Sequence, residues 1–254
     1  MTTVVTGGAT GIGFAVARRL GADGEIVVLA SRDRERLEEA RRRLSSEGIA
    51  CDIAQLDVRD AKAVDELFWA LPDVSNVVNN AAGNFVCPTV DLTPNGFRAV
   101  VEISLYGCFN CSRALARRLI AEGRRGAVVN MVATYAWSGA PGVAHSAAAK
   151  AGMIGFTKSV AREWGPHGIR VNAVAPGFVP TERALANILP SSEAQERMRS
   201  IIPLGRFGEE AEIAEAVAFL LADSSSYITG TVITVDGGRS LGQSMHEAAE
   251  DRAG

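Results

Sequence analysis

Short runs rich in valine and isoleucine alternate with longer helical patterns along the whole chain. The runs lie at residues 2–6, 26–30, 50–56, 74–79, 127–132, 169–175 and 232–235. The helical patterns lie between them, at residues 12–22, 33–47, 60–70, 95–122, 144–165, 182–200 and 209–222. Strands that are apolar on both faces are typical of a parallel sheet covered by helices on both sides. We therefore predict an α/β fold with a doubly wound parallel sheet in a single domain.

The first predicted strand runs directly into a glycine-rich turn. Residues 6–13 read TGGATGIG, and a helix is predicted to follow at once. Glycines let the backbone approach a pyrophosphate, which then binds to the N–H groups at the start of the helix. This arrangement is typical of a Rossmann-type dinucleotide site. The predicted cofactor contacts in this turn are Gly7, Thr10, Gly11, Ile12 and Gly13.

The end of the second predicted strand bears on which dinucleotide is bound. An NAD site usually has Asp or Glu there, which accepts a hydrogen bond from the ribose 2′-hydroxyl. This sequence has Ser31 and Arg32 instead. A hydroxyl and a guanidinium suit a 2′-phosphate, so the pattern favours NADP(H). The alternative is that Arg32 only begins the next helix, whose first residue would be Asp33.

The turn matches TGxxxGxG, which resembles the fingerprint of the short-chain dehydrogenase/reductase family. Segments 57–58, 79–83, 176–181 and 236–238 resemble further motifs of that family, in the same order along the chain. The resemblance implies a cofactor site that extends over several loops. The residues it adds are Asp57 and Val58 at the adenine, Asn80, Ala81 and Ala82 beside the cofactor, and Pro176, Gly177, Val179 and Thr181 at the nicotinamide.

The catalytic segment departs from the family pattern. Most members carry YxxxK, with a serine on the preceding strand and an asparagine on the long helix before it. Here the matching stretch from Ser146 to Lys150 reads SAAAK, Ala133 stands at the serine position and Ser104 at the asparagine position. A serine hydroxyl is far too weak an acid to protonate an alkoxide as a tyrosine does. Ordinary carbonyl reduction is therefore disfavoured at this site.

A tyrosine is found instead just after the fifth predicted strand. Tyr135 lies fifteen residues before Lys150, a layout similar to that of the 2,4-dienoyl-CoA reductases of the family. The segment 79–85 and Pro88 strengthen this resemblance. The sequence AHS at residues 144–146 is also similar to peroxisomal trans-2-enoyl-CoA reductases, which lack the displaced tyrosine. Tyr135 favours the dienoyl group.

This resemblance predicts the reduction of a conjugated acyl thioester by NADPH. Hydride addition to the far carbon produces an extended enolate, so the site needs a hydrogen-bond donor at the thioester oxygen. Tyr135 is the predicted donor, Lys150 is predicted to hold the nicotinamide ribose, and Ser146 to contact the thioester or a water. The alternative for Tyr135 is a core aromatic at the end of a strand.

Four residues are candidates for contacts with the substrate. Phe85 and Tyr106 are candidates for an acyl pocket, with Trp137 as a further aromatic, and each is alternatively a core residue. Arg59 aligns with an arginine that dienoyl-CoA reductases use toward substrate, and is alternatively a surface charge. His145 is interpreted as a packing histidine, and the sequence has no cluster of metal ligands.

Two other functions remain open from the sequence. One is a carbonyl reductase or dehydrogenase of a larger metabolite, in which Tyr135 is the acid. The other is a catalytically silent member of the family that binds the cofactor and acts through oligomer contacts.

Charge and composition limit the partners that are expected. The formal net charge of −3 gives no indication of nucleic acid or an anionic membrane as a partner. The chain has no apolar run of membrane-spanning length, and its N-terminus is predicted to enter a strand at once, without a signal peptide. The pair Cys108 and Cys111 lies within a helical pattern and is interpreted as buried small residues rather than a redox motif. A cytoplasmic protein is expected, with a domain at residues 1–240 and a loose tail at 241–254. The family resemblance implies a homotetramer.

Overall fold

Parallel strands form the centre of the molecule. The computed structural model describes residues 1–180 and 191–242, and within these ranges seven strands form one sheet in the order β3-β2-β1-β4-β5-β6-β7. They are β1 (Thr2–Thr6), β2 (Ile26–Ser31), β3 (Cys51–Gln55), β4 (Val74–Asn79), β5 (Gly126–Met131), β6 (Ile169–Pro176) and β7 (Val232–Val235). The predicted doubly wound sheet is confirmed, because every paired neighbour is parallel. Each predicted strand ends within one residue of the observed one.

Helices cover both faces of the sheet. They are α1 (Gly11–Ala22), α2 (Arg34–Ser46), α3 (Ala61–Ala70), α4 (Pro94–Val101), α5 (Gly107–Glu122), α6 (Tyr135–Ser138), α7 (Ala144–Trp164), α8 (Ser192–Ser200) and α9 (Glu210–Leu221). Helices α1, α2 and α9 pack on one face and α3, α5 and α7 on the other. All residues of β1 and β4 are buried, which explains why these strands are so rich in valine.

Several helix predictions need correction. The helix predicted at 95–122 contains a π-helical segment, Glu102–Tyr106, between α4 and α5. Asp33 is not the first residue of α2 but its N-cap, where its carboxylate accepts from the Arg36 N–H at 3.1 Å. The short helix α6 was not predicted. Of the helix predicted at 182–200, the described part is α8, and residues 181–190 lie outside the described ranges, as do residues 243–254 of the predicted tail.

The direction of strand progression reverses between β1 and β4. The chain winds outward through β2 and β3 on one side of β1, and through β5, β6 and β7 on the other side of β4. In an open parallel sheet, ligands bind in the crevice that such a reversal leaves at the carboxyl ends of the strands. The fold therefore places a binding crevice above β1 and β4.

Candidate active site

The turn between β1 and α1 is tight and closely packed. Gly7 and Gly11 have φ angles of +63° and +57°, a region that L side chains rarely adopt. A Cβ on Gly13 would lie 2.3 Å from the Gly7 carbonyl oxygen. The Asn80 side-chain amide donates to the carbonyls of Thr6 and Gly7 at 3.1 and 3.2 Å. The turn is therefore held in place by the close packing of α1 on one side and by the Asn80 hydrogen bonds on the other.

The N-terminus of α1 differs from those of the neighbouring helices. Asp33 caps α2 and Asp60 caps α3, each by accepting from backbone N–H groups. At α1 the N-cap residue is Thr10, whose side chain makes no capping hydrogen bond with the described residues, and the first turn contains no acidic side chain. The first N–H groups of α1 are thus left for an external acceptor, and the helix dipole favours an anion there.

A cavity of about 420 Å³ opens beside this helix, at the carboxyl ends of β1 to β4. Ten of the predicted cofactor residues line it: Gly7, Thr10, Ile12, Ser31, Arg32, Asp57, Val58, Asn80, Ala81 and Ala82. Gly11 and Gly13 are not in its described lining but shape the turn. Ala30, Leu56 and Ile103 line the cavity without having been predicted. Ile103 belongs to the π-helical segment, which no periodicity in the sequence distinguishes from an α-helix.

Charged side chains line the part of the cavity that lies at the ends of β2 and β3. Ser31 ends β2, Arg32 follows it, and both line the cavity. The neighbouring Asp33 is engaged in capping α2. The Arg59 guanidinium contacts both carboxylate oxygens of Asp57, at 2.6 to 3.1 Å. These hydrogen bonds, with a smaller contribution from the charge of Arg32, lower the pKa of Asp57 against the opposing effect of burial. Asp57 therefore faces the cavity as a carboxylate.

Two of the three predicted catalytic residues contact each other, and the third lies one helical turn away. The phenol oxygen of Tyr135, in α6, is 3.0 Å from Oγ of Ser146, in the first turn of α7. Lys150 lies one helical turn beyond Ser146, and its Nζ donates to the carbonyl of Met131, the last residue of β5, at 2.6 Å. Burial raises the pKa of Tyr135, while the hydrogen bond with Ser146 opposes that rise. Burial lowers the pKa of Lys150 to about 8.

A buried polar network lies between the sheet and the helices α5 and α7. The side-chain amide of Asn79, at the end of β4, donates to Ser112 and to Asn130, each at 2.8 Å. Asn130 of β5 in turn donates to Thr157 of α7 at 2.8 Å and accepts from the thiol of Cys108. The network links β4 and β5 to α5 and α7, and so holds α7, which contains Lys150, against the sheet. The sequence signal for it is an asparagine near the end of β4 and of β5.

The C-x-x-C pair has no redox features. Cys108 and Cys111 are both buried free thiols. Burial raises the pKa of both, that of Cys108 to about 12. A reactive thiol needs a lowered pKa, so the interpretation of this pair as buried small residues is confirmed.

The π-helical segment brings α5 close to the cofactor cavity. A Cβ on Gly107 would lie 2.5 Å from Val58 Cγ2, so the helix touches the loop that lines the cavity. Ser104, at the family's asparagine position, is buried, and its hydroxyl has no partner among the described residues. Tyr106 is on the outside of the segment, with 59% of its surface exposed.

The remaining substrate candidates lie around the outer part of the site. Phe85 is partly exposed and packs edge-on against His145, with ring centroids 4.5 Å apart. His145 is fully buried, as a packing histidine should be, and neither ring nitrogen has a partner among residues 1–180 and 191–242. Trp137, in α6, is also exposed. Arg59 is bound to Asp57, which lines the cavity beside α1.

The segment predicted at the nicotinamide borders a second cavity, of about 390 Å³. Gly177 lines it, and a Cβ there would lie 2.7 Å from the Cα of Asp236. Pro176 ends β6 and Val179 is buried. The fourth predicted residue of this group, Thr181, lies outside the described residues.

Neither a membrane-spanning helix nor a cluster of metal ligands is present in the part of the chain that the structure describes. None of the described helices is long and apolar enough to cross a membrane. In residues 1–180 and 191–242, no group of three or more His, Cys, Asp or Glu side chains is placed to hold a metal ion.

Comparison with known proteins places this geometry among oxidoreductases. A family model described as "Enoyl-(Acyl carrier protein) reductase" matches residues 7–240. A Bacillus subtilis protein named "Probable 2,4-dienoyl-CoA reductase [(2E)-enoyl-CoA-producing]" is 44% identical over 94% of this chain and 96% of its own length.

Solved structures agree with these sequence matches. A short chain dehydrogenase from Bacillus anthracis has a TM-score of 0.86 and 40% identity, covering 96% of this chain and 98% of its own. A gluconate 5-dehydrogenase from Burkholderia cenocepacia, in complex with NADP and tartrate, has a TM-score of 0.89 and 30% identity, covering 95% and 96%.

Proposed function

Because this chain belongs to the short-chain dehydrogenase/reductase family, we propose that it uses NADPH to reduce a conjugated carbon–carbon double bond of an acyl thioester. The observation that carries the proposal is the 3.0 Å contact between the Tyr135 phenol and Ser146 Oγ. The helix position that holds a phenol in most of the family holds Ser146 here. A phenol from the other side of the site lies directly against it, so the site keeps a strong hydroxyl donor in a changed position.

A displaced phenol suits an enolate better than an alkoxide. The chemistry that bound NADPH supplies is a hydride delivered to the far carbon of the conjugated system. Negative charge would then collect on the thioester oxygen, and carbon would finally take up a proton from water. Tyr135 donates a hydrogen bond to that oxygen and does not need to lose its proton. Its partly buried position strengthens the bond, because a low local dielectric makes a hydrogen bond electrostatically stronger.

Several features of the site fit the dinucleotide. Gly7 lines the cavity beside α1, where a Cβ would lie 2.9 Å from the Asn80 side-chain nitrogen, so the turn has no room for a side chain at this position. The uncapped N-terminus of α1 suits the pyrophosphate. Ser31 and Arg32 suit a 2′-phosphate, and a structural relative holds NADP. Lys150 is assigned to the nicotinamide ribose, with Nζ anchored at Met131.

Arg32 is expected to set the preference for NADPH over NADH. Replacing Arg32 by alanine removes the charged donor to the 2′-phosphate, so KM for NADPH should rise about tenfold or more, while KM for NADH should change little. Steady-state kinetics with the two cofactors measure this. Arg34→Ala is the matched control, because Arg34 pairs with Glu38 on its own helix. Equal losses for both cofactors would show that Arg32 does not contact the 2′-phosphate.

The charge of Lys150 is expected to make NADPH binding dependent on pH. The ammonium form donates to the ribose, and burial lowers the pKa of Lys150 to about 8, so the charge is present below that pH and lost above it. Affinity should fall about tenfold as the pH rises from about 7 to above 9, the midpoint lying above 8 in the complex because the bound acceptor favours the charged form. Fluorescence titration of NADPH measures the dissociation constant at each pH.

A second lysine on the same helix provides the control for this dependence. Lys158 is exposed in α7, and Lys158→Met should keep the pH dependence, whereas Lys150→Met should bind weakly at every pH. An affinity that is constant between about pH 7 and about pH 9 in the unmodified protein would contradict the role of Lys150.

The substrate class is tested with purified protein, NADPH and a panel of coenzyme A thioesters. The panel contains 2,4-dienoyl, 2-enoyl and 3-keto forms, and the loss of reduced cofactor is followed by absorbance. The proposal expects turnover of the dienoyl thioesters. Turnover of the 3-keto thioester alone would establish a carbonyl reductase. Tight cofactor binding with no turnover of any substrate would establish a silent cofactor-binding protein.

We further propose that the protein works as a homotetramer in the cytoplasm. Phe109 of α5 is exposed, and its ring packs edge-on against Phe156 of α7, which packs against Trp164. The exposed ring of Phe109 suits a surface that a second copy covers, whereas Trp164 is buried. Light scattering of the purified protein measures the oligomeric state.

A further inference from the structure

We propose that Ser146 is a positioning residue that donates its hydroxyl hydrogen to the phenol oxygen of Tyr135 and so turns the phenol hydrogen toward the substrate oxygen. The inference rests on the proposed function of Tyr135, and it gives Ser146 a role on the phenol instead of on the thioester or a water.

The geometry of the two hydroxyls requires one donor and one acceptor. Tyr135 and Ser146 lie 3.0 Å apart, and either oxygen can be the donor. Ser146 is only 2% exposed, so bulk water does not compete for its hydrogen. Each hydroxyl carries a single hydrogen. A phenol that gives its hydrogen to the thioester oxygen can keep its contact with Ser146 only as an acceptor, and Ser146 must then be the donor.

Lys150 is not the donor to the phenol oxygen in the described structure. Its Nζ donates to the Met131 carbonyl, and the described hydrogen-bond partner of the Tyr135 phenol is Ser146. The group that lies against the phenol oxygen is therefore a neutral hydroxyl and not a lysine cation. The Ser146 hydroxyl can donate a hydrogen bond to the phenol oxygen, but it brings no positive charge next to that oxygen.

The two hydrogen bonds reinforce each other. A hydrogen bond received by a phenol oxygen polarises its O–H group and strengthens the bond that the group donates. The Ser146 contact also opposes the rise in the pKa of Tyr135 that burial causes. Loss of the Ser146 hydroxyl should therefore weaken Tyr135 as a donor and make the phenol harder to ionise.

The experiment measures the phenol directly as well as turnover. Near-ultraviolet absorbance follows phenolate formation with rising pH, and subtracting the same titration of Tyr135→Phe isolates Tyr135 from the other tyrosines. In Ser146→Ala, the Tyr135 titration should move to higher pH and kcat with a dienoyl thioester should fall about three- to tenfold. The dissociation constant for NADPH should not change. Ser146→Thr, which keeps a hydroxyl, should restore both the titration and kcat.

Ser159→Ala is the matched control, because Ser159 lies on the same helix with its hydroxyl bonded to the Gly155 carbonyl. An unchanged Tyr135 titration in Ser146→Ala overturns the inference, even if turnover falls, since Ser146 would then act on the substrate directly. An equal shift in Ser159→Ala also overturns it. The other proposals are judged separately: if the unmodified protein does not reduce the dienoyl thioesters, the proposed function fails. If Tyr135→Phe keeps full turnover, Tyr135 is not the donor to the substrate, while the titration still decides whether Ser146 donates to the phenol.

Discussion

Tyr135→Phe is expected to lower kcat with a 2,4-dienoyl thioester about 10²- to 10³-fold, while NADPH binds as before. The phenol is the proposed donor to the thioester oxygen, and removal of one such donor raises the barrier by about 2.7–4 kcal/mol. The substitution removes only an oxygen atom and keeps the ring that packs between α6 and α7. Single-turnover kinetics after mixing with NADPH and substrate measure the chemical step itself.

The control for this substitution is Tyr227→Phe. Tyr227 is fully exposed, so loss of its hydroxyl should leave kcat within about twofold of the original value. A Tyr135→Phe protein that turns over at the original rate would remove the mechanistic basis of the proposal, because the oxygen of the thioester would then need a different donor.

Gly13→Ala is expected to weaken NADPH binding by about 5- to 150-fold, which corresponds to about 1–3 kcal/mol for overpacking. The added methyl would lie 2.3 Å from the Gly7 carbonyl oxygen and 2.6 Å from the Asn80 side-chain nitrogen. Both belong to the rigid turn that the pyrophosphate is proposed to meet, so α1 must move away from it. Isothermal titration with NADPH measures the loss.

General destabilisation must be separated from this local effect. Gly48 has a φ of +78° and open space around it, so Gly48→Ala strains the backbone outside the cofactor cavity. It should lower the melting temperature while NADPH binds normally. An NADPH affinity of Gly13→Ala that equals that of Gly48→Ala would contradict the role given to the turn.

The sheet could be predicted closely because its strands are buried on both faces. Such strands leave continuous valine-rich runs, and β1 and β4 end at the residues that the pattern predicts. The cofactor cavity could be predicted because each of its loops follows a strand at a short, recognisable motif. The local sequence is sufficient to predict a strand or a loop whose conformation depends mainly on its own residues.

The contacts between segments could not be predicted. Tyr135 and Ser146 are eleven residues apart, and the loop between them passes through Gly139 and Gly142, both with positive φ. The path of such a loop depends on the packing of its neighbours and not on a periodic pattern. The network around Asn130 was missed for a similar reason, since it joins two strands and two helices that are distant in sequence.

The π-helical segment Glu102–Tyr106 has a consequence for how this chain is compared with others. A π-type turn accommodates one more residue than an α-turn and is held by i→i+5 bonds. Deleting one residue within 102–106 would let the helix close into a regular α-helix with both ends in place. Relatives one residue shorter at this point can thus share the same helix ends. A sequence alignment without a gap in this segment would then match Ser104 to a residue that occupies a different position in the relative's helix.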